Sequence, residues 1–271
     1  MGEQGEFFDL NISPDEKKLA ETELNTATAT IWVHDLPSRL KTRLTFSGGA
    51  HLTPVWSPDG TRVAFTSNQQ AALSVKTMGS SAPERTLLSS AKPIYQGITD
   101  WSRDGRYLMY EQGPGINTQL WVLPLTGEGK PFPYTGSTMQ EREGLFSPDG
   151  RWVAYVADEA GRSEVFVAPF PWTGTRWQVS NGGGAEPRWR ADGKELYYYN
   201  FTGIAAAEVD GSDSAFQVGN SKFLFKLPLR GPNLEYAPTH DGQRLIAIAP
   251  REGTSQTLTL VQNWPAELQK K

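Results

Sequence analysis

The sequence has no cysteine, which excludes disulfides, zinc-thiolate centres and a thiol nucleophile, and leaves the redox compartment open. Only three histidines are present, so base catalysis and imidazole ligation have few candidates. No apolar run approaches the roughly 20 residues that span a bilayer, and no membrane span is expected. The N-terminus lacks the basic-then-apolar order of a signal peptide. Met1 and Gly2 precede a strand almost at once, and the chain is expected to be a piece of a longer protein. Positive charge is scarce too: 26 Lys and Arg face 30 Asp and Glu, for a net charge of −4. The pair Lys270-Lys271 is too short to make a basic run, so no nucleic-acid surface is expected.

Turn formers and aromatics are abundant. The 271 residues include 27 glycines, 19 prolines, 9 Trp, 9 Tyr and 12 Phe, which suits many short strands joined by tight turns. A repeat organises them. Turns recur at Ser13-Pro14-Asp15-Glu16, Ser57-Pro58-Asp59-Gly60, Ser102-Arg103-Asp104-Gly105, Ser147-Pro148-Asp149-Gly150, Arg190-Ala191-Asp192-Gly193 and Thr239-His240-Asp241-Gly242. Their aspartates are spaced by 44, 45, 45, 43 and 49 residues.

A bulky residue lies three positions before five of these aspartates: Ile12, Trp56, Trp101, Phe146 and Trp189; the sixth copy has Pro238. An alternating strand follows each turn, as in Arg62-Val63-Ala64-Phe65-Thr66. A third strand and a weaker fourth complete the unit, as in Gln119-Leu120-Trp121-Val122 and Arg176-Trp177-Gln178-Val179. Four antiparallel strands per copy make a propeller blade. One blade cannot cover both its faces, so blades stack into a ring, with the aromatics as packing between them. The expected fold is all-β: a six-bladed β-propeller with four-stranded antiparallel blades around a central channel, one domain over residues 1–271.

The stretch Pro54-Val55-Trp56-Ser57-Pro58-Asp59-Gly60, with Val63-Ala64-Phe65, resembles the TolB-like (WD-type) propeller repeat. Two segments resemble propeller domains attached to bacterial membrane-anchored Ser/Thr protein kinases and some winged-helix regulators. They are Arg142–Gly150 continued through Gly184–Trp189, and the tail Thr259–Leu268. The resemblance implies a sensor or scaffold module, extracytoplasmic if part of such a kinase. No Gly-rich nucleotide loop, His-Arg-Asp or Asp-Phe-Gly motif is present, so the kinase chemistry itself is not expected. Family rings close by pairing the two chain ends. Here few residues precede the first inner strand, and the last blade is expected to be three-stranded or completed by Val261 to Leu268.

Aligned on the turn aspartates, the position six residues earlier reads Asp9, Thr53, Ile98, Glu143, Glu186 and Glu235. Nearby lie His51, Gln96, Glu141, Arg142 and Asn233, with Asp100 and Arg188 further in. Carboxylates converging on a channel repel one another unless a cation compensates. Oxygen-rich, sulfur-free ligands favour Ca²⁺, Mg²⁺ or Mn²⁺. Three readings stay open: a wet funnel of solvated side chains, a divalent-cation site at Asp9, Glu143, Glu186 and Glu235, or recognition of a basic ligand or peptide. Arg142 and Arg188 would partly neutralise the ring. His34 is expected to be inter-blade or superficial, and His240 lies in a turn on the opposite face. Only His51 is near the acidic ring.

No Gly-x-Ser-x-Gly elbow occurs, and Gly182-Gly183-Gly184 is followed by no helix, so it reads as a bend and not a phosphate loop. The leading expectation is a binding or scaffold propeller taking a small molecule, peptide or protein at the funnel, and monomeric because ring closure removes exposed sheet edges. The alternative is a metal-dependent lactonase, arylesterase or phosphotriesterase. There the funnel carboxylates would hold the ion and His51 would be the general base.

Overall fold

In the computed structural model the repeated turn closes one set of hydrogen bonds in five of its six copies. In the second copy the Gly60 amide donates to the Ser57 carbonyl (2.8 Å), Ser57 Oγ donates to Asp59 Oδ1 (2.5 Å), and the Thr61 amide donates to that same oxygen (3.0 Å). The Arg62 amide returns to Ser57 Oγ (2.9 Å) and starts the next strand. Gly60 takes a φ of 66°, a region glycine enters without steric cost. The first copy has Glu16 there, at φ 56°. In the fifth copy Arg190 replaces the serine and clasps Asp192 with its guanidinium (2.8 Å).

The structure describes residues 4–25, 28–46, 48–67, 72–90, 94–115, 117–127, 129–159, 161–212, 215–227, 236–250 and 256–262. The first repeat gives β1 (Gln4–Ile12), β2 (Lys18–Leu24), β3 (Ala29–Asp35) and β4 (Leu40–Arg43). The second gives β5 (His51–Trp56), β6 (Arg62–Ser67), β7 (Ala72–Thr77) and β8 (Arg85–Ser89). The third gives β9 (Tyr95–Trp101), β10 (Tyr107–Gly113), β11 (Gln119–Pro124) and β12 (Phe132–Pro133). The fourth gives β13 (Glu141–Phe146), β14 (Trp152–Glu159), β15 (Arg162–Pro169) and β16 (Trp177–Gln178). The fifth gives β17 (Ala185–Trp189), β18 (Glu195–Tyr199), β19 (Gly203–Asp210) and β20 (Gln217–Lys226). The last gives β21 (Tyr236–Pro238), β22 (Arg244–Pro250) and β23 (Gln256–Gln262). No helix occurs among the described residues.

The chain is an all-β propeller of four-stranded antiparallel blades, but the expectation of six separate blades is corrected. The described strands form five sheets: four of four strands and one of seven, ordered β21-β22-β23-β1-β2-β3-β4. The fusion has a simple cause. β1 pairs with β2 over Glu6 to Ile12, and its first residues, Gln4 and Gly5, pair with Thr257 and Gln256 of β23. The short N-terminal segment therefore does lend strand edge to the last repeat, against expectation. Val261 and Gln262 end β23, and the rest of the expected closing segment, to Leu268, lies outside the described residues.

Burial follows the repeat. Trp56 packs with Ala20, Ile31 and Val33 of the first repeat and Val63 and Phe65 of its own. Phe146 packs with Met109, Leu120 and Val122 of the repeat before it. Phe7, Leu10 and Leu19 meet Ala237, Ile246 and Ile248 across the joint between the chain's first and last repeats. Each fully buried large apolar side chain contributes about 1.5–3 kcal/mol, which makes the faces between repeats the main source of cohesion. The Gly182-Gly183-Gly184 run is a bend, as expected. Gly182 and Gly183 have φ of 94° and 110°, and their amides donate to Glu164 Oε1 (3.2 and 3.0 Å).

Candidate functional site

The inner strands β1, β5, β13 and β17 each carry an irregularity, between Phe7 and Leu10, Leu52 and Val55, Arg142 and Leu145, and Ala185 and Arg188. In three of them the residue six before the turn aspartate has a positive φ: Thr53 (52°), Glu143 (56°) and Glu186 (54°). None is glycine, so each kink must be held by its surroundings. A bulge removes its residue's amide from the ladder, and a buried N–H needs a partner.

The preceding repeat supplies that partner. Asp9 Oδ2 accepts from the Thr53 amide (2.9 Å), and Glu143 Oε2 accepts from the Glu186 amide (2.5 Å). In the third repeat the corresponding residue is Ile98, which cannot accept, so Glu111 from neighbouring β10 takes over. Its Oε1 accepts from the Glu143 amide (2.7 Å). Likewise Thr66 Oγ1 of β6 accepts from the Ile98 amide (3.2 Å). A second tier lies closer to the turns: Asn11 Oδ1 accepts from the Trp56 amide (3.1 Å) and Asp100 Oδ2 from the Phe146 amide (2.8 Å).

These carboxylates are held in a costly setting. Burial pushes Asp9, Asp100 and Glu111 up to about 7, opposed in each by the amide bond it accepts. Burial also raises Glu143, with the Arg142 guanidinium working against it. Arg142 Nε stands 3.4 Å from Glu143 Oε1, while Nη1 reaches Asp158 (3.2 Å) and Nη2 reaches Ser163 Oγ (2.5 Å). Arg188 Nη2 donates to Glu186 Oε2 (2.9 Å), its Nε to the Tyr236 carbonyl (3.1 Å), and Tyr236 Oη donates to the Glu186 carbonyl (2.5 Å).

Above this layer opens a cavity of about 620 Å³, lined from the first four repeats. Phe8, Leu52, Tyr95 and Ile98 give apolar wall, and Asp9, Glu111, Glu143, Gln96, Thr99, Thr118 and Arg142 are among its polar lining. Among the described residues no group of three or more His, Asp or Glu side chains is placed to hold a metal ion.

No protein-family model matches the chain. Its architecture matches TolB from Acinetobacter baumannii with a TM-score of 0.69 at 17% identity, covering 96% of this chain and 61% of that one. The fold is TolB-like. The TolB-like chain thus spans about three fifths of that protein's length. The propeller domain of Cps50 (Swd1) from Myceliophteria thermophila matches at 0.67, 11% identity, with coverages of 97% and 88%. An oligogalacturonate lyase in complex with manganese matches at 0.67, 13% identity, with coverages of 97% and 76%. At these identities the likeness is one of fold.

The TolB-like propeller brings together some of the residues nominated from sequence. Asp9, Arg142 and Glu143 line the cavity, and Glu186 and Arg188 continue the chain of bonds past Glu143. Asp100 sits in the lower tier, under Phe146. His51 is 2% exposed, edge-on to the Phe65 ring at 5.4 Å and 3.6 Å from Glu84, and is not among the residues lining the cavity. His34 pairs with buried Glu21 at 2.8 Å, and His240 lies in its turn beside Glu16. Glu235 and Asn233 lie outside the described residues.

Reading by sequence missed Glu111, Thr66 and Thr22, the last a buried hydroxyl that works against the rise of the Asp9 carboxyl. All three stand seven residues after a turn aspartate. A polar residue on the second strand at the height of the acidic ring, in three successive repeats, was the available signal.

Proposed function

We propose that the chain is a recognition module: a six-repeat propeller that binds a small molecule or a peptide in its funnel cavity, within a larger bacterial signalling protein. One observation carries the reading. The funnel carboxylates are spent on backbone amides of the next repeat, while the space above them stays open and part apolar, as ligand pockets are. Buried clusters between every pair of successive repeats, the joint of first and last included, support the six-repeat ring. The signalling context rests on the resemblance of the Arg142–Gly150 and Thr259–Leu268 segments to kinase-attached propellers.

The metal-hydrolase alternative has weaker support. Its general base, His51, packs under Phe65 and away from the cavity, and Glu143 and Glu186 are turned along the ring and not toward a common point.

A fragment screen by heteronuclear NMR tests the proposal. Shift changes gathered at Phe8, Tyr95, Gln96 and Thr118 are expected; changes scattered over the surface, or none, overturn it. Melting with EDTA and then with Ca²⁺, Mg²⁺, Mn²⁺ or Zn²⁺ decides on the hydrolase. An ion that binds the folded state at a hundredfold excess over Kd adds about 2.7 kcal/mol. A rise abolished by Glu143→Gln and Glu186→Gln would favour the metal site over a metal-free recognition module.

A further inference from the structure

The polar lining of the cavity is weighted toward acceptors: besides the Thr99 hydroxyl, which can donate or accept, its unpartnered buried atoms are the oxygens of Gln96 and Glu143. Gln96 is 3% exposed and lines it; its Nε2 donates to Gln112 Oε1 (2.8 Å), which fixes the amide, and its Oε1 has no hydrogen-bond partner. Glu143 Oε1 is buried and meets no hydrogen-bond geometry, its one charged neighbour being Arg142 Nε at 3.4 Å. Glu111 spends Oε1 on the Glu143 amide and meets Thr118 at 3.4 Å through Oε2. The cation nearest these groups, Arg142, divides its guanidinium among Glu143, Asp158 and Ser163, and leaves Gln96 and Glu111 without a charged partner among the described residues.

We propose that this cavity takes an organic cation, an ammonium or guanidinium group carried on an apolar body. Such a head supplies three to five N–H donors and no acceptor, the complement of Gln96 Oε1, Glu111 Oε2 and Glu143 Oε1. Phe8, Leu52, Tyr95 and Ile98 give the apolar body a wall, and Tyr95 puts an aromatic ring, which attracts cations, in that lining. An anion would be driven against two glutamates and an aspartate. A neutral apolar ligand would cover the open acceptors without pairing them, which is costly. The buried acceptors thus select the charge, and the wall selects the body. A lysine or arginine side chain of a peptide and a free aromatic amine share this chemistry.

The inference rests on the cavity being the ligand site, and the experiment separates the two. The 271-residue chain is titrated at pH 8 with 2-phenylethylamine, 2-phenylethylguanidine, 2-phenylethanol and 3-phenylpropanoate, which share a body and differ in the head. Heteronuclear NMR follows the Gln96 side-chain amide and the Tyr95 ring. The amine and guanidine are expected to bind about tenfold more tightly than the alcohol, and the carboxylate least. Gln96→Leu and Glu111→Gln should each weaken the amine severalfold and leave the alcohol unchanged; melting curves establish that both variants fold. An amine no tighter than the alcohol, with shifts still at the cavity, overturns cation selection and leaves the cavity as a ligand site. No shift at the cavity from any of the four, while other fragments do bind there, also overturns the inference alone. Failure of every fragment overturns both.

Discussion

The two faces of the disc use the same side-chain chemistry with opposite electrostatics. On the turn face, Asp59 accepts from Ser57 and Thr61, its immediate neighbours in sequence, and stays half open to water. The Ser57 hydroxyl holds its carboxyl down at about 2. Beside the cavity, Asp9, Glu111 and Glu143 accept amides 44, 32 and 43 residues away, in the next repeat, and burial raises their pKa values. A carboxylate that shapes a turn is thus local and comfortable as an anion. One that joins repeats is long-range and uncomfortable as an anion.

The largest effect should come from breaking a joint. Glu143→Ala leaves the buried Glu186 amide without an acceptor and should cost about 1–3 kcal/mol in urea unfolding, while Glu143→Gln, which keeps an oxygen, should stay within about 1 kcal/mol. If alanine and glutamine cost the same, the carboxyl is not the clasp described.

The pH profile sharpens the contrast next. Asp9 and Asp100 have an ordinary value of 3.8 and folded values near 7, so the folded chain holds protons the unfolded chain releases. Their contribution to stability is fully present below about pH 4 and is lost as pH rises through about 7. Asp59 works the other way: its contribution is present above 3.8 and lost as pH falls through about 2. Stability measured from pH 3 to 9 should therefore peak near pH 4. Glu111→Gln should flatten the alkaline limb by up to about 1.4 kcal/mol per pH unit where that proton is taken up. A stability maximum above pH 7 would contradict the burial of these groups.

The smallest effect belongs to the turn face. Asp59→Ala frees donors that water can satisfy, and should cost at most about 1 kcal/mol. It should leave the alkaline limb of the profile untouched.

The repeat was plain in the sequence because Ser, Pro, Asp and Gly each have a distinct backbone role in a tight turn, and their spacing set the strand pattern. The height of the acidic ring was legible for the same reason, since counting back from Asp149 and Asp192 lands on Glu143 and Glu186. Their direction was not. Thr53, Glu143 and Glu186 occupy a left-handed conformation that their residue types do not announce. The kink turns Glu143 along the ring to the next repeat, so residues read as converging were in fact linked in series. Glu111 was hidden further because it replaces the missing acceptor at Ile98 from a different strand. Closure was misjudged on length: a full strand seemed necessary, and two paired residues, Gln4 and Gly5, join the end sheets.

That joint sets an order of assembly. Gln4 and Gly5 meet partners about 250 residues later, Gln256 and Thr257, the most distant strand pairing by sequence among the described residues. As the polypeptide leaves the ribosome, the early repeats can dock one on another while the free edge of β1 waits for the last strand to be made. Ring closure is then the final folding event, and the waiting edge is where a stalled or truncated chain would recruit another copy.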